Sequence, residues 1–510
     1  MKYFIQSIFL LSALLAVNGC NFNNRPYDTL MLRLKEDIST TDPAYIVDVD
    51  GSNIAAYLYN GLVKLDKSMQ IVPDIAERWE ISNDGLSYRF FIRTDVKFTT
   101  GEYCTAEHIK RSFMRILDPL ICSPRSWIFE QVDGASDYIR GLTGEVTGFM
   151  VISPHIFQIQ LKEPFAPFLS LLTMPNAFVG IPANTAPAYI IGTGPFYIEK
   201  WIRGDKLLLR QNPSYFEGAP HIEHILIRVI PEDFTAITEF ETGMLDIMDI
   251  PSAEFEYFTR NTLWKDSVHS VELLNTYYLG FNCQKEPCSD VQFRRTVASG
   301  ISTDKIIQYY FQNRVEKAVS PVPSALLKPY GIEVNNFNVD TSGTDTNMPP
   351  ITLTFNSNSE MQAIAELIQY DLANIGIDIT LEALEWTAFK EKVSAGNADI
   401  FLLSWWADYP DIENFLYPVF HSSNWGSAGN RARYKNNEFD AAVTQARSVS
   451  GHEMQSKLYQ HALDIIMQDM PWRVLWHKKK FVVCQPWVKG FSLSPISWID
   501  KGATLFLEKK

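Results

Sequence analysis

The chain has 510 residues, 46% of them hydrophobic and 20% charged, enough to bury the cores of two to four domains or of two large lobes. Its formal net charge of −14 leaves no basic surplus for phosphate contacts, which excludes nucleic acid as the main partner. No coiled-coil heptads, low-complexity tracts or internal repeats interrupt a globular composition.

The N-terminus departs from that composition. MKYFIQSIFLLSALLAVNGC (1–20) carries one lysine, a long apolar run and a Gly19-Cys20 ending. A membrane-spanning helix needs about 20 apolar residues, so 1–19 reads as an export signal. The ending resembles a bacterial lipobox, in which the cysteine, here Cys20, is acylated and becomes the new first residue. Residues 21–27 are then a polar tether. Cys104, Cys122, Cys283, Cys288 and Cys484 remain, an odd number that leaves at least one unpaired. Cys283 and Cys288 are spaced to bridge a short loop in an oxidising compartment, with free thiols the equal alternative.

LSYRFFIR (86–93) alternates as a strand with Tyr88, Phe90 and Ile92 on one face, after the hairpin signal NDG (83–85). GTGP (192–195) lacks the Lys and Ser/Thr of a phosphate loop and reads as a tight turn. The histidines of HIEH (221–224) precede an alternating run and fall on opposite strand faces, which does not make a shared metal site. EVNNFNVDTSGTDTNMPP (333–350) is a polar surface loop. ITLTF (351–355) predicts a strand, and 360–375 a helix with Met361, Ile364, Ala365, Ile368 and Leu372 on one face, Ser359 as N-cap and Gly376 as its stop. IDITLEAL (377–384) and ADIFLLSW (398–405) complete a β-α-β-β order typical of a doubly wound sheet, whose ligands bind outside the carboxyl ends of the strands. WWADY (405–409) sits at such an end. An amphipathic helix over 452–469, with Met454, Leu458, Ala462 and Ile465 in register, leads into a strand over 472–485.

Seven stretches, in order along the chain, resemble the extracytoplasmic solute-binding proteins of the peptide/nickel type, the binding components of ABC importers: AAYLYNGLVKLD (55–66), IVPDIAERWEISNDGLSYRFFIRTDVKFTTGE (71–102), IGTGPFYIEKWIRGDKLLLRQNPSYFEG (191–218), EFETGMLDI (239–247), LGFNCQKEPCSDVQFRRTVASGISTDKII (279–307), WWADYPDIENFLYPVFHSSN (405–424) and ARYKNNEFDAAV (432–443). One departure is the polar loop 333–350, where many relatives carry an Ala/Leu-rich helix. The resemblance implies an α/β, two-lobed periplasmic-binding-protein-like fold, type II, of the large cluster with an extra subdomain. Lobe one comprises 20–62, 189–275 and 486–510; the extra subdomain is 63–188, and lobe two is 276–485. Two hinge strands, near 276–282 and 478–487, join the lobes around a ligand cleft.

The implied function is capture of oligopeptides and delivery to a permease in the cytoplasmic membrane, by a monomer that is tethered to lipid through Cys20 and needs no cofactor. In peptide-binding relatives an aspartate of a W-x-A-D-Y-like segment pairs with the ligand's α-ammonium group, and Asp408 matches it, with Trp405 at the matching tryptophan. A charge-assisted bond of this kind contributes about 1.5–3 kcal/mol; the bland alternative is that Asp408 caps the following turn. Trp405 and Trp386 are candidate apolar walls, with core packing as the alternative. Trp127, Asn430 and His477 are further candidate ligand contacts. YIVDVDGSN (45–53), centred on Val49, resembles the place where relatives pair a strand edge with the ligand backbone. In the stretch matching 386–405, where some long-peptide binders place arginines, the only cations are Lys390 and Lys392, which leaves the ligand's carboxyl end unassigned.

Asp399, Asp408, Asp411 and Glu413 beside tryptophans have the makings of a glycosidase, but no spacing ties them together, and no nucleophile–base set appears. The reading is a binding protein rather than an enzyme. The alternative is the same scaffold with another cargo: a nickel chelate, haem, an oligosaccharide, or a modified peptide or peptide-like thiol.

Overall fold

A computed structural model describes residues 28–182, 190–334, 351–449, 451–496 and 501–508. Cys20, the tether and most of the 333–350 loop lie outside the described residues.

Three larger sheets organise the chain. In the first, Thr29–Leu34 runs parallel to His224–Val229, which is followed by antiparallel Lys206–Gln211 and Phe196–Ile202. Leu30, Leu207, Leu209, Ile225 and Ile227 from these strands pack with Ile54 and Leu58 of the helix Val49–Leu58. That helix starts where the Asp48 carboxylate accepts the Gly51 N–H at 2.6 Å. It ends against GTGP, where the Gly194 N–H donates to the Leu58 carbonyl at 3.0 Å. A Cβ on Gly194 would lie 2.6 Å from the carbonyl oxygens of both Tyr57 and Leu58, so the turn needs glycine for close backbone approach.

The second sheet, in the order Ala76–Ile81, Ser87–Ile92, Ile156–Gln160, Phe149–Ser153, is antiparallel throughout. Tyr88, Phe90 and Ile92 are all buried beneath the helix Ala106–Leu117, as their alternation predicts. The NDG turn closes with Gly85 at φ +70°.

The third sheet holds the predicted β-α-β-β unit. Ile351–Asn356 lies parallel to both Ile379–Leu384 and Ile400–Trp406, and the latter pairs antiparallel with Asn275–Phe281. The intervening helix, Ser359–Ala373, is capped one residue earlier than expected: Asn358, not Ser359, accepts the Met361 N–H at 2.8 Å. Gly376 follows at φ +80°. The helix His452–Asp469 buries Gln455, Tyr459, Ala462, Leu463 and Ile466, leaves Leu458 and Ile465 half-buried, and exposes Met454. The fully buried Tyr459 ring sets that face, so the helix is rotated from its apparent apolar register.

The strand Trp472–Cys484 joins the halves. Its first part pairs with Asn275–Phe281 and Val315–Lys317; its second pairs with Val268–Glu272 and Ile247–Asp249. The other crossing is 273–274, between Val268–Glu272 and Asn275–Phe281. The 273–274 crossing falls just before the expected 276–282, whereas Trp472–Cys484 changes partners at 477–479, at the start of the expected 478–487.

The five described cysteines are free. Cys288 is buried in the core with Leu279 and Phe281, and Cys283 is half-buried beside another core cluster. The bridge that their spacing allows is not formed.

Candidate ligand-binding cleft

The parallel strand Ile400–Trp406 delivers WWADY to its carboxyl end, beside the crossing segment, where the Ala407 N–H donates to the Leu274 carbonyl at 2.9 Å. The Asp408 N–H donates to Asn414 Oδ1 at 2.9 Å, and the Asn414 side chain also bonds its carboxylate. Among the described residues the Asp408 carboxylate makes no salt bridge. The capping of the following turn falls to Asp411 instead, which accepts the Glu413 N–H at 2.9 Å and the Ser170 hydroxyl at 2.8 Å. Asp408 is open to solvent yet surrounded by enough protein to raise its pKa by desolvation, an effect that the charge of Arg125 and the Asn414 bond oppose.

Beneath Asp408 the segment is anchored to the extra subdomain. Tyr409 is buried in that subdomain's core, 6.1 Å from the Trp127 ring, and its hydroxyl donates to Glu413. Burial pushes Glu413 up to about 7, against the Arg447 guanidinium that meets it at 2.8 Å. The Ala166 N–H donates to the Arg447 carbonyl at 2.7 Å. Asp408 thus stands on a fixed base.

Other expected site residues are distributed unequally. Trp386 opens the helix Trp386–Ser394 just past the strand Ile379–Leu384, at the same edge of the sheet as Asp408. It is 44% exposed, with Lys390 Nζ 5.1 Å from its ring. Trp405, opposite Thr276, packs half-buried on the lobe-two core with its indole N–H enclosed and unbonded. Trp127 is half-buried against Tyr409. Val49 is 62% exposed, but it is the first residue of a helix and not part of a strand edge, because the Asp48 cap turns the chain there.

Asn430 and His477, expected from the sequence to touch ligand, are buried with polar atoms bonded inside the protein. Asn430 is fully buried, and its amide donates to the carbonyls of Phe420, His421 and Tyr434 while accepting the Tyr434 N–H. His477 is buried at the crossing, with Nδ1 bonded to the Asn275 carbonyl at 2.6 Å, Thr276 Oγ1 at 3.2 Å, and Nε2 3.9 Å from Glu272. Burial lowers its pKa while Glu272 opposes. Both hold the framework.

Sequence reasoning missed Arg125. Its backbone N–H bonds to Ser123 Oγ at 3.1 Å, and that hydroxyl donates to the Ala44 carbonyl at 2.5 Å. Its Nη2 donates to the Val47 carbonyl at 3.3 Å, whereas Nε is enclosed and unbonded. The available signal was its position two residues before Trp127. A cavity of about 700 Å³ was also missed; Asp50, Asn53, Tyr57, Asp249, Lys480 and Phe491 line it, from lobe one and the crossing strand. Burial raises the Asp50 pKa; Lys480 opposes that and Asp249 adds to it. Of the residues expected from the sequence to bind ligand, Asp50 and Asn53 of the 45–53 segment line this cavity, and Val49 itself does not. Among the described residues no three His, Cys, Asp or Glu side chains gather as metal ligands.

Comparison with known proteins places this architecture. Di/tripeptide-binding protein 2 of Pseudomonas aeruginosa is 28% identical over 480 residues, covering 87% of this chain and 88% of the relative. Heme-binding protein A of Haemophilus influenzae is 27% identical over 493 residues, covering 89% and 88%. The solved structure of the periplasmic murein tripeptide-binding protein MppA, in its unliganded open form, matches with a TM-score of 0.84 at 22% identity, covering 95% of this chain and 98% of that one. Residues 70–427 match the family described as "Bacterial extracellular solute-binding proteins, family 5 Middle". The chain, with its two lobes and crossing strands, belongs to the bacterial extracellular solute-binding proteins of family 5.

Proposed function

We propose that the protein captures short peptides outside the cytoplasmic membrane and delivers them to an ABC importer permease, with Asp408 holding the peptide's α-ammonium group. The observation that carries this reading is a carboxylate at the carboxyl end of the parallel strand, open to solvent and salt-bridged to no described residue. A free peptide carries one ammonium at a fixed place relative to its backbone, so one such carboxylate sets register for any sequence. The similarity to Di/tripeptide-binding protein 2 supports the cargo class.

Trp386 and Trp405 supply apolar walls, and the exposed segment with Tyr45, Val47 and Val49 faces the ligand from lobe one. The lobe-one cavity, of about 700 Å³, is within the usual size range of ligand pockets and gives room for side chains. The ligand acts by selecting the closed state, since it touches both lobes only when they approach about the crossings at 273–274 and 477–479. The protein works as a monomer, tethered to a bacterial membrane through acylated Cys20.

Native mass spectrometry of the protein isolated from its own membranes tests cargo and tether together. The expected spectrum shows loss of residues 1–19, an added lipid, and a mixture of short free-amino peptides released on activation. A single haem-like or other non-peptide species overturns the peptide reading, and an unlipidated or uncleaved chain overturns the tether.

A further inference from the structure

Asp408 is not an isolated negative pole. Arg125, on the extra-subdomain loop, acts on it electrostatically, yet the two side chains are not in salt-bridge contact. The other carboxylates nearby have partners: Asp411 takes Ser170 and the Glu413 N–H, and Glu413 takes Arg447 and Tyr409. Arg125 is therefore left with the Val47 carbonyl at 3.3 Å and an Nε that bonds nothing. Its placement is fixed, because Ser123 ties its backbone to Ala44 while Trp127 packs on Tyr409, the residue next to Asp408.

A ligand that brings only an ammonium to this place meets a carboxylate whose field a neighbouring cation partly cancels. Closure then leaves the guanidinium desolvated with an unmet donor, which is costly. A ligand that adds a carboxylate a few ångströms from its ammonium satisfies both poles, and a guanidinium fork suits a carboxylate geometrically. We propose that Arg125 and Asp408 form a two-pole seat for a head group carrying both an ammonium and a carboxylate, the ammonium on Asp408 and the carboxylate on Arg125. The inference rests on the peptide reading above and narrows its substrate class to peptides that begin with an acidic residue or with a γ-linked glutamyl group.

The test is calorimetric titration of wild type and Arg125→Gln with three synthetic tripeptides, Glu-Ala-Ala, γ-Glu-Ala-Ala and Gln-Ala-Ala. A charge-assisted bond corresponds to roughly 10- to 100-fold in affinity. Wild type is expected to bind at least one of the two carboxylate-bearing head groups about tenfold or more tighter than Gln-Ala-Ala. Whichever binds tighter identifies the source of the head group. Arg125→Gln is expected to erase that preference, weakening the carboxylate-bearing peptides while binding Gln-Ala-Ala at least as tightly as wild type does. Equal binding of all three peptides by wild type, or a preference that persists in Arg125→Gln, overturns the two-pole seat but leaves the peptide reading standing. Failure of all three to bind wild type overturns both. Arg125→Lys, which keeps the charge without the fork, separates loss of charge from misfolding: a correctly folded variant retains part of the preference.

Discussion

A carboxylate partly desolvated by surrounding protein and given no bonded cation keeps its proton to a higher pH than one in water. Asp408 is such a group, and its pKa is raised by desolvation despite Arg125 and Asn414. The sign of its effect on binding follows. Ammonium binding needs the ionised carboxylate, so affinity is full at neutral pH and is lost as pH falls through the raised pKa, starting above the ordinary carboxylate value of about 4. Titrations of a free-amino tripeptide from about pH 7 down to about pH 4 should show affinity falling with pH, beginning above the ordinary carboxylate value, whereas its N-acetylated form should show a flat profile. Parallel profiles for the two peptides contradict the assignment.

Asp408 was legible in the sequence because strand periodicity fixes where the carboxyl end falls, and the motif fixes which residue stands there. Asn430 and His477 were not legible as framework, because only tertiary packing reveals that their polar atoms are used up by carbonyls of the surrounding loops and the crossing strand. Arg125 was missed for the related reason that nothing along the chain links it to a residue in lobe two.

Elements were easier to read than their faces. The alternation of Tyr88, Phe90 and Ile92 and the 452–469 helix both match the structure in extent. The buried face of that helix does not match, since Tyr459, edge-on to the Tyr330 ring at 5.8 Å, is buried and Met454 is exposed. Likewise 45–53 reads as an edge segment until the Asp48 cap makes Val49 the start of a helix. The GTGP turn shows how tightly such a helix can be held. Gly194→Ala would drive a Cβ to 2.6 Å from two carbonyl oxygens at the end of Val49–Leu58. Overpacking of backbone against backbone costs about 1–3 kcal/mol or more, so the variant should unfold at a denaturant midpoint well below that of wild type. An unchanged midpoint would show that the helix end can move aside, and would weaken the claim that the wall carrying Val49 and Asp50 is rigid.

At the scale of the molecule, one strand, Trp472–Cys484, pairs into both halves, so the lobes are joined at the 273–274 and 477–479 crossings. The extra subdomain is bonded to lobe two through Ser170–Asp411 and the Arg447 carbonyl, and its Arg125 loop is bonded to lobe one through Ala44 and Val47, so that loop is held from both lobes. The two-lobed architecture was legible from ordered motifs spread along the chain; this attachment was not, because it depends on side chains far apart in sequence. The most direct test of the account is calorimetric titration of wild type and Asp408→Asn with one short peptide, free-amino and N-acetylated. The account predicts that Asp408→Asn weakens the free-amino peptide tenfold or more, as loss of a charge-assisted bond requires, and leaves the acetylated peptide little changed. Equal losses for both peptides, or none for either, would contradict it.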